Sequence, residues 1–275
     1  MIVGLTGAQG VLGRRLNDAL QARGVHVTPF KGDVRDKNAL TDWAKVCTHI
    51  VHTAAVVPTV QVNDAPGEAI AVNVAGTANV AQVAGAARAR LAYISTSHIY
   101  ASSPSPLAEE ARISPASLYG LTKWQGEQWV ERLAPESLIV RVFSYFDSRQ
   151  ADSFLIPQLR NRIAVAELNA ELPLFGYRSS RDIANADWLA NRLVDLLLAD
   201  AKGVFNLGSG TGTSIAQVAK QLAQAAGRQD ISWVPADELP GDVLIANTAK
   251  MARIVAIPAF DLESELRTFV AEVQT

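Results

Sequence analysis

A glycine-rich turn follows directly after the first apolar segment of the chain. Residues 1–6 have the composition of a buried strand, and the segment TGAQGVLG at 6–13 leads from it into a helix. In such a turn Gly7 permits the tight bend, Gly10 lets a pyrophosphate approach backbone N–H groups, and Gly13 allows the helix to pack closely on the strand. This order of strand, turn and helix predicts a nucleotide-binding unit, although an ordinary tight turn can have the same glycine spacing.

Strand-like and helix-like segments alternate through the first half of the chain. The predicted strands lie at 1–6, 25–30, 49–54, 91–95 and 137–144, and the predicted helices at 11–23, 36–45, about 68–89 and 118–133. Alternation of this kind is typical of a parallel sheet with helices on both faces. We therefore predict an α/β fold with a Rossmann-type doubly wound parallel sheet.

The second half of the chain has a less regular pattern. It predicts helices at 154–162, 182–198, 214–227 and 261–273, an extended segment at 171–175, and a strand at 203–207 that returns to the sheet. No repeat or flexible linker separates these elements, so two interwoven domains are expected. Residues 1–145 plus about 182–209 would form the dinucleotide-binding domain, and about 146–181 plus 210–275 a smaller C-terminal substrate-binding domain.

Composition excludes several classes of protein. Hydrophobic residues make up 49% of the chain and charged residues 19%, which indicates a globular protein. A formal net charge of −2 without a basic run predicts neither a nucleic-acid partner nor an acidic membrane surface. The single cysteine, Cys47, leaves no internal disulfide and no Cys-rich metal site, and no metal is expected. The lack of a signal peptide and of a long uninterrupted apolar run predicts a cytoplasmic protein without a membrane span.

Tyr119 and Lys123 lie four residues apart on a predicted helix, and therefore on one face of it. A free tyrosine has a pKa of about 10, and a neighbouring cation favours the phenolate. The spacing is therefore suited to a tyrosine that transfers a proton near neutral pH. A solvent-exposed helical pair has the same spacing, so the pair alone does not decide between the two interpretations.

Nine short motifs occur in a fixed order along the chain. They are TGAQGVLG at 6–13, GDVRD at 32–36, HTAA at 52–55, NVAGTANV at 73–80, ISTSHIYA at 94–101, YGLTK at 119–123, FGYRSSRDI at 175–183, FNLGSG at 205–210 and PGDV at 240–243. In this order they resemble the extended short-chain dehydrogenases/reductases that act on nucleotide sugars as epimerases, dehydratases and reductases. Each motif is modest evidence by itself, but the order of all nine is specific to this family, and the resemblance covers the whole chain.

The resemblance implies a catalytic triad of Thr96, Tyr119 and Lys123. Thr96 would hydrogen-bond the reacting sugar oxygen, with Ser95 and Ser97 as competing hydroxyls. Tyr119 would exchange the proton, while Lys123 would hold the nicotinamide ribose and lower the pKa of Tyr119. The implied cofactor-binding residues are Gly7, Gln9, Gly10, Val11, Leu12, Gly13, Asp33, Val34, Thr53, Ala54, Ala55, Tyr119 and Lys123.

The residues after the second predicted strand bear on the choice of cofactor. An NAD-preferring enzyme usually carries an acidic residue there for the ribose hydroxyls, whereas this chain has the sequence TPFK at 28–31. Lys31, Arg14 and Arg15 are available to meet a 2′-phosphate, which favours NADP and leaves NAD open. Asp33 resembles the family's carboxylate beside the adenine. His52 is expected to be structural.

Departures from the family pattern narrow the expected reaction. The dehydratases carry an acidic pair directly after the catalytic Thr, whereas Ser97 and His98 stand here, so dehydration is not expected. Phe154 occupies the position of the second acid/base histidine of the carbon-epimerising members, which removes that chemistry as well. Ser144 stands where many 4-epimerases place an Asn that grips the substrate, and the 4-ketoreductases resemble this chain better there.

The sequence therefore predicts a reductase of a nucleotide-activated 4-keto-6-deoxysugar, with NADP or NAD as its cofactor. Arginines suit sugar-nucleotide phosphates because a guanidinium binds them bidentately, although Arg181 and Asp182 would equally suit an ion pair with a helix cap. The expected substrate contacts are Ser97, His98, Ser144, Phe154, Arg178 and Arg181. Two alternatives stay open: a 4-epimerase with the same triad, and a cofactor-sensing protein without activity. The resemblance also implies a homodimer through the helix that bears Trp124, Trp129 and Val130, although these residues would equally fill the core of a single chain.

Overall fold

Six parallel strands form the central sheet of the computed structural model, which describes residues 1–57 and 59–274. The strands of the chain are β1 (Ile2–Thr6), β2 (His26–Pro29), β3 (His49–His52), β4 (Arg90–Thr96), β5 (Leu138–Val142), β6 (Ser144–Phe146), β7 (Glu171–Leu174), β8 (Ser180–Asn185), β9 (Gly203–Leu207), β10 (Gly212–Ser214), β11 (Ser232–Pro235) and β12 (Val243–Leu244). The order across the central sheet is β2-β1-β3-β4-β5-β9. The chain changes direction across the sheet between β1 and β3, and ligands of such sheets bind at the carboxyl ends of the strands at this point.

Helices cover both faces of this sheet. The helices of the chain are α1 (Val11–Ala22), α2 (Lys37–Ala44), α3 (Thr59–Asp64), α4 (Pro66–Ile70), α5 (Thr77–Ala87), α6 (Leu118–Leu133), α7 (Leu155–Val165), α8 (Ala186–Leu198), α9 (Ile215–Ala225), α10 (Ala249–Ala252) and α11 (Leu262–Gln274). On one face α1 and α8 contribute Leu16 and Leu193 to the core. On the other face α2, α5 and α6 contribute Leu40, Val80 and Val130. The predicted doubly wound Rossmann-type fold is confirmed.

One helical run is long and apolar enough to cross a membrane by length and composition alone. It extends from Pro66 to Ala87, within the described part of the chain, and includes a π-helical turn at Ala71–Gly76 between α4 and α5. Its side chains Val80 and Ala84 are fully buried in the core between α2, α6 and the sheet. The packing of a core helix therefore accounts for its apolar composition.

A second layer of strands lies beside the carboxyl edge of the central sheet. Strand β8 is its centre, because it pairs with β10 in antiparallel and with β6 and β12 in parallel orientation. Helices α7, α9 and α11 enclose a separate apolar core that includes Leu159, Leu222 and Phe269. The space between the two sheets is where a ligand would meet both parts of the chain.

The predicted helix at 182–198 is wrong over its first residues. Residues 180–185 form β8, and α8 begins at Ala186, where Asn185 Oδ1 accepts a hydrogen bond from Trp188 N at 2.6 Å. Pairing with three other strands overrides the helical periodicity of this segment. The predicted domain boundary near residue 182 therefore falls inside β8, and the division into two domains stays a prediction. Strand β9 returns to the central sheet beside β5, as expected.

Candidate active site

A cavity of about 870 Å³ lies between the carboxyl ends of the central strands and the second sheet. On the side of the central sheet it is lined by residues 7–13, 30–35, 53–57, 68, 72, 94–96, 98, 119, 123 and 142–145. On the opposite side it is lined by residues 150, 154–156, 175, 176, 179, 181, 183 and 215. The cavity is thus located at the change of strand order between β1 and β3.

The glycine turn forms one end of this cavity. Gly7 has φ +68°, and a Cβ built on it would lie 2.6 Å from both Ala54 N and Thr53 Oγ1. A Cβ on Gly13 would lie 2.1 Å from Gly7 O, so side chains at either position would force the turn away from α1 or β3. Gly10 is the residue that precedes α1. The turn therefore brings the N-terminus of α1 to the cavity, where backbone N–H groups can bind a pyrophosphate.

A buried polar network supports the end of β3 beneath the turn. His52 Nδ1 lies 2.7 Å from Thr6 Oγ1, and its Nε2 lies 3.0 Å from Thr77 Oγ1. Thr77 Oγ1 in turn donates to Asn73 O at 2.7 Å, and Asn73 lies in the π-helical turn. Burial lowers the pKa of His52 to about 3, so the ring is neutral near pH 7. His52 therefore joins β1, β3 and α5 by hydrogen bonds, the structural role expected for it.

Arg35 bridges two carboxylates on the side of the cavity that the central sheet forms. Its Nε lies 3.0 Å from both carboxylate oxygens of Asp33, and its Nη1 donates to Glu68 at 2.8 and 2.9 Å. The hydrogen bonds from Arg35 lower the pKa of Asp33. All three residues line the cavity together with Lys31. Three cations were predicted to meet a 2′-phosphate, and of these only Lys31 lines the cavity. Arg14 does not line it, and Arg15 forms an ion pair with Asp147 at 2.6 Å.

Glycines in α6 allow this helix to approach β4 closely. A Cβ on Gly120 would lie 2.4 Å from a carbonyl oxygen in the turn after β4, and one on Gly126 would lie 2.2 Å from the Tyr93 hydroxyl oxygen. The absence of side chains at both positions lets the helix backbone lie against the strand. Tyr119 and Lys123 are thereby placed at the carboxyl end of β4, where both line the cavity.

The three residues of the predicted triad meet at this point. Thr96 ends β4, lines the cavity, and its Oγ1 accepts a hydrogen bond from His98 N at 3.3 Å. Burial of the phenol raises the pKa of Tyr119, Tyr145 adds to this rise, and the Thr96 hydroxyl opposes it. Tyr119 is consequently a protonated phenol at neutral pH and can act as a proton donor.

Lys123 does not lower the pKa of Tyr119 in this arrangement, which differs from the expectation drawn from the helical spacing. Its Nζ lies 4.2 Å from the centre of the Tyr93 ring, and the side chain is buried. Burial lowers the pKa of Lys123 itself to about 7, and the charge of Glu127 opposes this shift. The lysine is therefore close to losing its own proton, because the effect of burial outweighs the opposing charge of Glu127.

A second buried network lies behind the triad. Arg141 Nη2 donates to Glu127 Oε2 at 2.8 Å, and its Nη1 donates to the Tyr100 hydroxyl at 2.8 Å. The Tyr100 hydroxyl donates to Asn206 Oδ1 at 2.7 Å, and the Ser95 hydroxyl donates to Glu127. These contacts join β4, β5, β9 and α6 directly behind the cavity.

Four of the six predicted substrate contacts line the cavity: His98, Ser144, Phe154 and Arg181. The ring centres of His98 and Tyr119 are 6.1 Å apart with an interplanar angle of 71°. Burial lowers the pKa of His98, and the Arg181 charge acts in the same direction. Ser97 is 1% exposed and does not line the cavity, and neither does Arg178, whose Nη1 donates to Asp237 O at 3.0 Å.

Arg181 forms an ion pair, but not with its neighbour in sequence. Its Nη2 donates to both carboxylate oxygens of Asp242 at 2.8 Å. Asp182 instead accepts hydrogen bonds from Ser209 N and Gly210 N, each at 2.8 Å. Because residues 181 and 182 lie in a strand, their side chains point to opposite faces of the sheet. The alternative of an Arg181–Asp182 pair that caps a helix is therefore wrong.

Sequence reasoning missed several residues that line the cavity. Arg35 lies in the GDVRD motif that the sequence analysis singled out, and Tyr145 lies directly after Ser144, the last residue of a predicted strand. Phe175 is 74% exposed although it lines the cavity, and it begins the FGYRSSRDI motif. Within the described residues, no three His, Cys, Asp or Glu side chains are grouped so that they could hold a metal ion.

The doubly wound sheet, the glycine turn at its change of direction, and a Tyr and Lys one helical turn apart beside the end of β4 together define an extended short-chain dehydrogenase/reductase. The class predicted from the motifs is confirmed by a family comparison. The family model of the RmlD substrate binding domain matches residues 1–261, and the chain belongs to this family.

Relatives of the chain include two enzymes of deoxysugar metabolism. A dTDP-4-dehydrorhamnose reductase of Mycolicibacterium smegmatis is 29% identical over 161 residues, which are 57% of this chain and only 49% of that protein. A dTDP-4-keto-6-deoxy-D-glucose reductase of Streptomyces niveus is 29% identical over 259 residues, 87% of this chain and 84% of that protein. The structure of RMD from Pseudomonas aeruginosa complexed with NADPH superposes with a TM-score of 0.88 over 99% of this chain and 98% of that one, at 22% identity. This last likeness shows the fold.

Proposed function

We propose that this protein is a reductase that uses NADPH or NADH to reduce the C4 carbonyl of a nucleotide-activated 4-keto-6-deoxysugar. The observation that carries the proposal is the convergence of Thr96, Tyr119 and Lys123 on one cavity that also contains the glycine turn. The names of the Mycolicibacterium smegmatis and Streptomyces niveus relatives support the same class of substrate.

The residues at the first end of the cavity fit a dinucleotide. Positions 7 and 13 have no room for a Cβ, so the turn offers bare backbone beside the N-terminus of α1. That backbone would hold the pyrophosphate, and Lys123 would hold the ribose at the nicotinamide end. Lys31 lines the same wall and would meet a 2′-phosphate, which supports NADPH as the preferred cofactor. When bound, the cofactor supplies the hydride.

The chain's own residues would supply the proton and orient the sugar. Tyr119 is protonated because burial raises its pKa, so its phenol can donate a proton to the C4 oxygen as the hydride arrives at C4. The Thr96 hydroxyl would donate a hydrogen bond to the same oxygen. The phenolate that Tyr119 leaves behind would then recover a proton from the solvent. The product is then a hydroxyl at C4.

A homodimer through α6 stays a prediction, and so does the cytoplasmic location. Of the three residues considered for this contact, Val130 is fully buried in the core and Trp124 packs against a core cluster that includes Tyr100. Trp129 is 45% exposed, and Leu118 and Leu121 on the same helix are 44% and 41% exposed. The exposed apolar part of α6 supports the prediction.

The proposal is tested by following oxidation of NADPH and NADH with a panel of dTDP-, UDP- and GDP-linked 4-keto-6-deoxysugars. We expect stoichiometric cofactor oxidation with one or more of these sugars. Changing Tyr119→Phe should reduce kcat about 10²–10⁴-fold, the usual contribution of a general acid, while the dissociation constant for NADPH changes little. Tyr177→Phe is the matched control, because Tyr177 does not line the cavity.

Three outcomes would count against this proposal. Unchanged turnover of Tyr119→Phe would refute the role of Tyr119. Interconversion of sugar isomers without net cofactor oxidation would show a 4-epimerase. Binding of NADPH without turnover of any sugar would favour the cofactor-sensing alternative, since fold alone does not fix function.

A further inference from the structure

Glu127 is a fully buried carboxylate on the same helix as the predicted catalytic tyrosine and lysine. Tyr119, Lys123 and Glu127 are spaced four residues apart, so they form one line along the face of α6 that contacts β4. A carboxylate is costly to bury unless it is paired and hydrogen-bonded. The contacts of Glu127 therefore show what its charge does.

Arg141 satisfies most of the charge of Glu127. Besides the contact of its Nη2, Arg141 Nε lies 3.1 and 3.2 Å from the two carboxylate oxygens. The side chains of Arg141 and Glu127 are 5% and 0% exposed. With Lys123 protonated, this interior contains two positive charges and one negative charge. Loss of the carboxylate would therefore leave two buried cations without a counter-ion.

Ser95 connects Glu127 to the strand that carries the catalytic threonine. The Ser95 hydroxyl donates a hydrogen bond to Glu127 Oε1. Ser95 directly precedes Thr96, and both residues line the cavity. Glu127 thus joins the helix that carries Tyr119 and Lys123 to the end of β4 that carries Thr96.

Three other groups near Lys123 are neutral. Tyr93 of β4 lies under its ammonium, and burial raises the pKa of Tyr93. His52 of β3 is neutral because burial lowers its pKa to about 3, and Tyr119 on α6 is protonated. Glu127 is therefore the group among these that can favour the charged form of Lys123.

We propose that Glu127 is a positioning residue of the reduction, which keeps Lys123 protonated and fixes the catalytic end of β4 through Ser95. It acts through Lys123 and Thr96 and touches neither the sugar nor the cofactor. The inference rests on the proposed function, because it assigns Glu127 a part in the reaction of that site.

The test compares Glu127→Gln with Glu131→Gln. Glu131 lies on the same helix and is exposed, so the control makes the same chemical change outside the buried cluster. We measure kcat/KM against pH, together with the dissociation constant for NADPH against pH. Activity that requires a charged Lys123 falls as the pH rises through the pKa of that lysine, which is about 7 in the unliganded parent. Glu127→Gln should move this fall to lower pH by about 1–3 units, since an adjacent opposite charge shifts a pKa by that much. Glu131→Gln should follow the parent.

Two further variants separate charge from packing. Glu127→Asp keeps the charge and should restore the midpoint of the pH profile even if kcat stays low. Ser95→Ala removes the hydrogen bond but not the charge, so it should lower kcat without moving the midpoint. A lower kcat for Glu127→Gln with an unchanged midpoint would overturn the inference and leave Glu127 as a structural residue. If Glu127→Gln does not fold, a midpoint that moves in Glu127→Asp or in Ser95→Ala, both of which keep the carboxylate charge, would overturn the inference.

Failure of the proposed function gives a different result. In that case the parent turns over no sugar in the panel, while the affinity for NADPH still depends on the charge of Lys123. A shift of that pH dependence in Glu127→Gln, but not in Glu131→Gln, would support the role of Glu127. The same pH dependence in the parent and in both variants would overturn it.

Discussion

The buried side chain of Asp182 links β8 to the segments that follow β9 and β12. The contribution of this link can be measured as a change in the free energy of unfolding. The side chain of Asp182 is buried in β8, with Oδ1 accepting from Ser209 N at 2.8 Å and Ser209 Oγ at 2.7 Å. Oδ2 accepts from Gly210 N at 2.8 Å and Ala246 N at 3.3 Å. One carboxylate thus serves three backbone donors in the segments that follow β9 and β12.

The geometry predicts different losses for two substitutions. In Asp182→Asn the amide nitrogen can take the place of Oδ1, where the Ser209 hydroxyl rotates to accept from it and only Ser209 N loses its acceptor. One buried donor without an acceptor costs about 1–3 kcal/mol. Asp182→Ala removes the acceptors of all three backbone donors, so we expect a loss of more than about 3 kcal/mol. That is a large part of the roughly 5–15 kcal/mol that stabilises a typical folded protein.

Urea unfolding followed by circular dichroism gives the free energy of unfolding of each variant. Ser209→Ala combined with Asp182→Asn completes a double-mutant cycle, and we expect a coupling above about 0.5 kcal/mol because the hydroxyl compensates for the amide. Asp152→Asn is the control, because this side chain is 73% exposed. Equal losses for Asp182→Asn and Asp182→Ala, or additivity with Ser209→Ala, would refute the assignment of donors to the two oxygens.

Two further predictions concern the cavity. Gly13→Ala places a Cβ 2.1 Å from Gly7 O, so it should weaken NADPH binding at least tenfold, as measured by fluorescence titration. The control Gly67→Ala, where a Cβ has open space, should bind NADPH like the parent. Equal affinity of Gly13→Ala and the parent would contradict the tight turn. Lys123→Met should change the dependence of stability on pH. Between about pH 7 and 9 the parent's Lys123 is mostly neutral in the folded protein but protonated in the unfolded chain. The parent's free energy of unfolding should therefore rise with pH relative to that of the variant. Parallel curves for the two proteins in urea unfolding across that range would show that burial does not lower the pKa of Lys123.

Local patterns were sufficient to predict the central sheet and which residues lie at its carboxyl edge. The strands that end beside Gly7 and at Thr96 are each followed by a helix. Their apolar residues mark them as buried strands, and this does not depend on which strands they pair with. The residues grouped at the carboxyl edge follow from that topology, because parallel strands all end on the same side. The family match then confirmed the class that the order of motifs indicated.

Long-range pairing explains what the sequence did not predict. Residues 182–185 have helical periodicity, but β8 is held by three other strands that come from distant parts of the chain. The pair of Arg181 with Asp242 spans a similar distance, whereas the sequence offered Asp182 as the adjacent partner. The pKa of Tyr119 shows the same limit, since helical spacing predicts the position of Lys123 but not the burial that raises the pKa of Tyr119 and lowers that of Lys123.

The position of β9 has a consequence for the order in which the chain is made. Strand β5 pairs with β4 on one side and with β9 on the other, but residues 143–202 are synthesised between β5 and β9. A ribosome-bound chain that has completed β5 therefore exposes a hydrogen-bonding edge flanked by apolar faces, and it must wait for β9 to cover it. Unpaired edges of this kind recruit other chains and favour aggregation. The β5 edge accordingly stays uncovered until β9 has been made, and a chaperone that shields this edge would act while the second layer is still emerging.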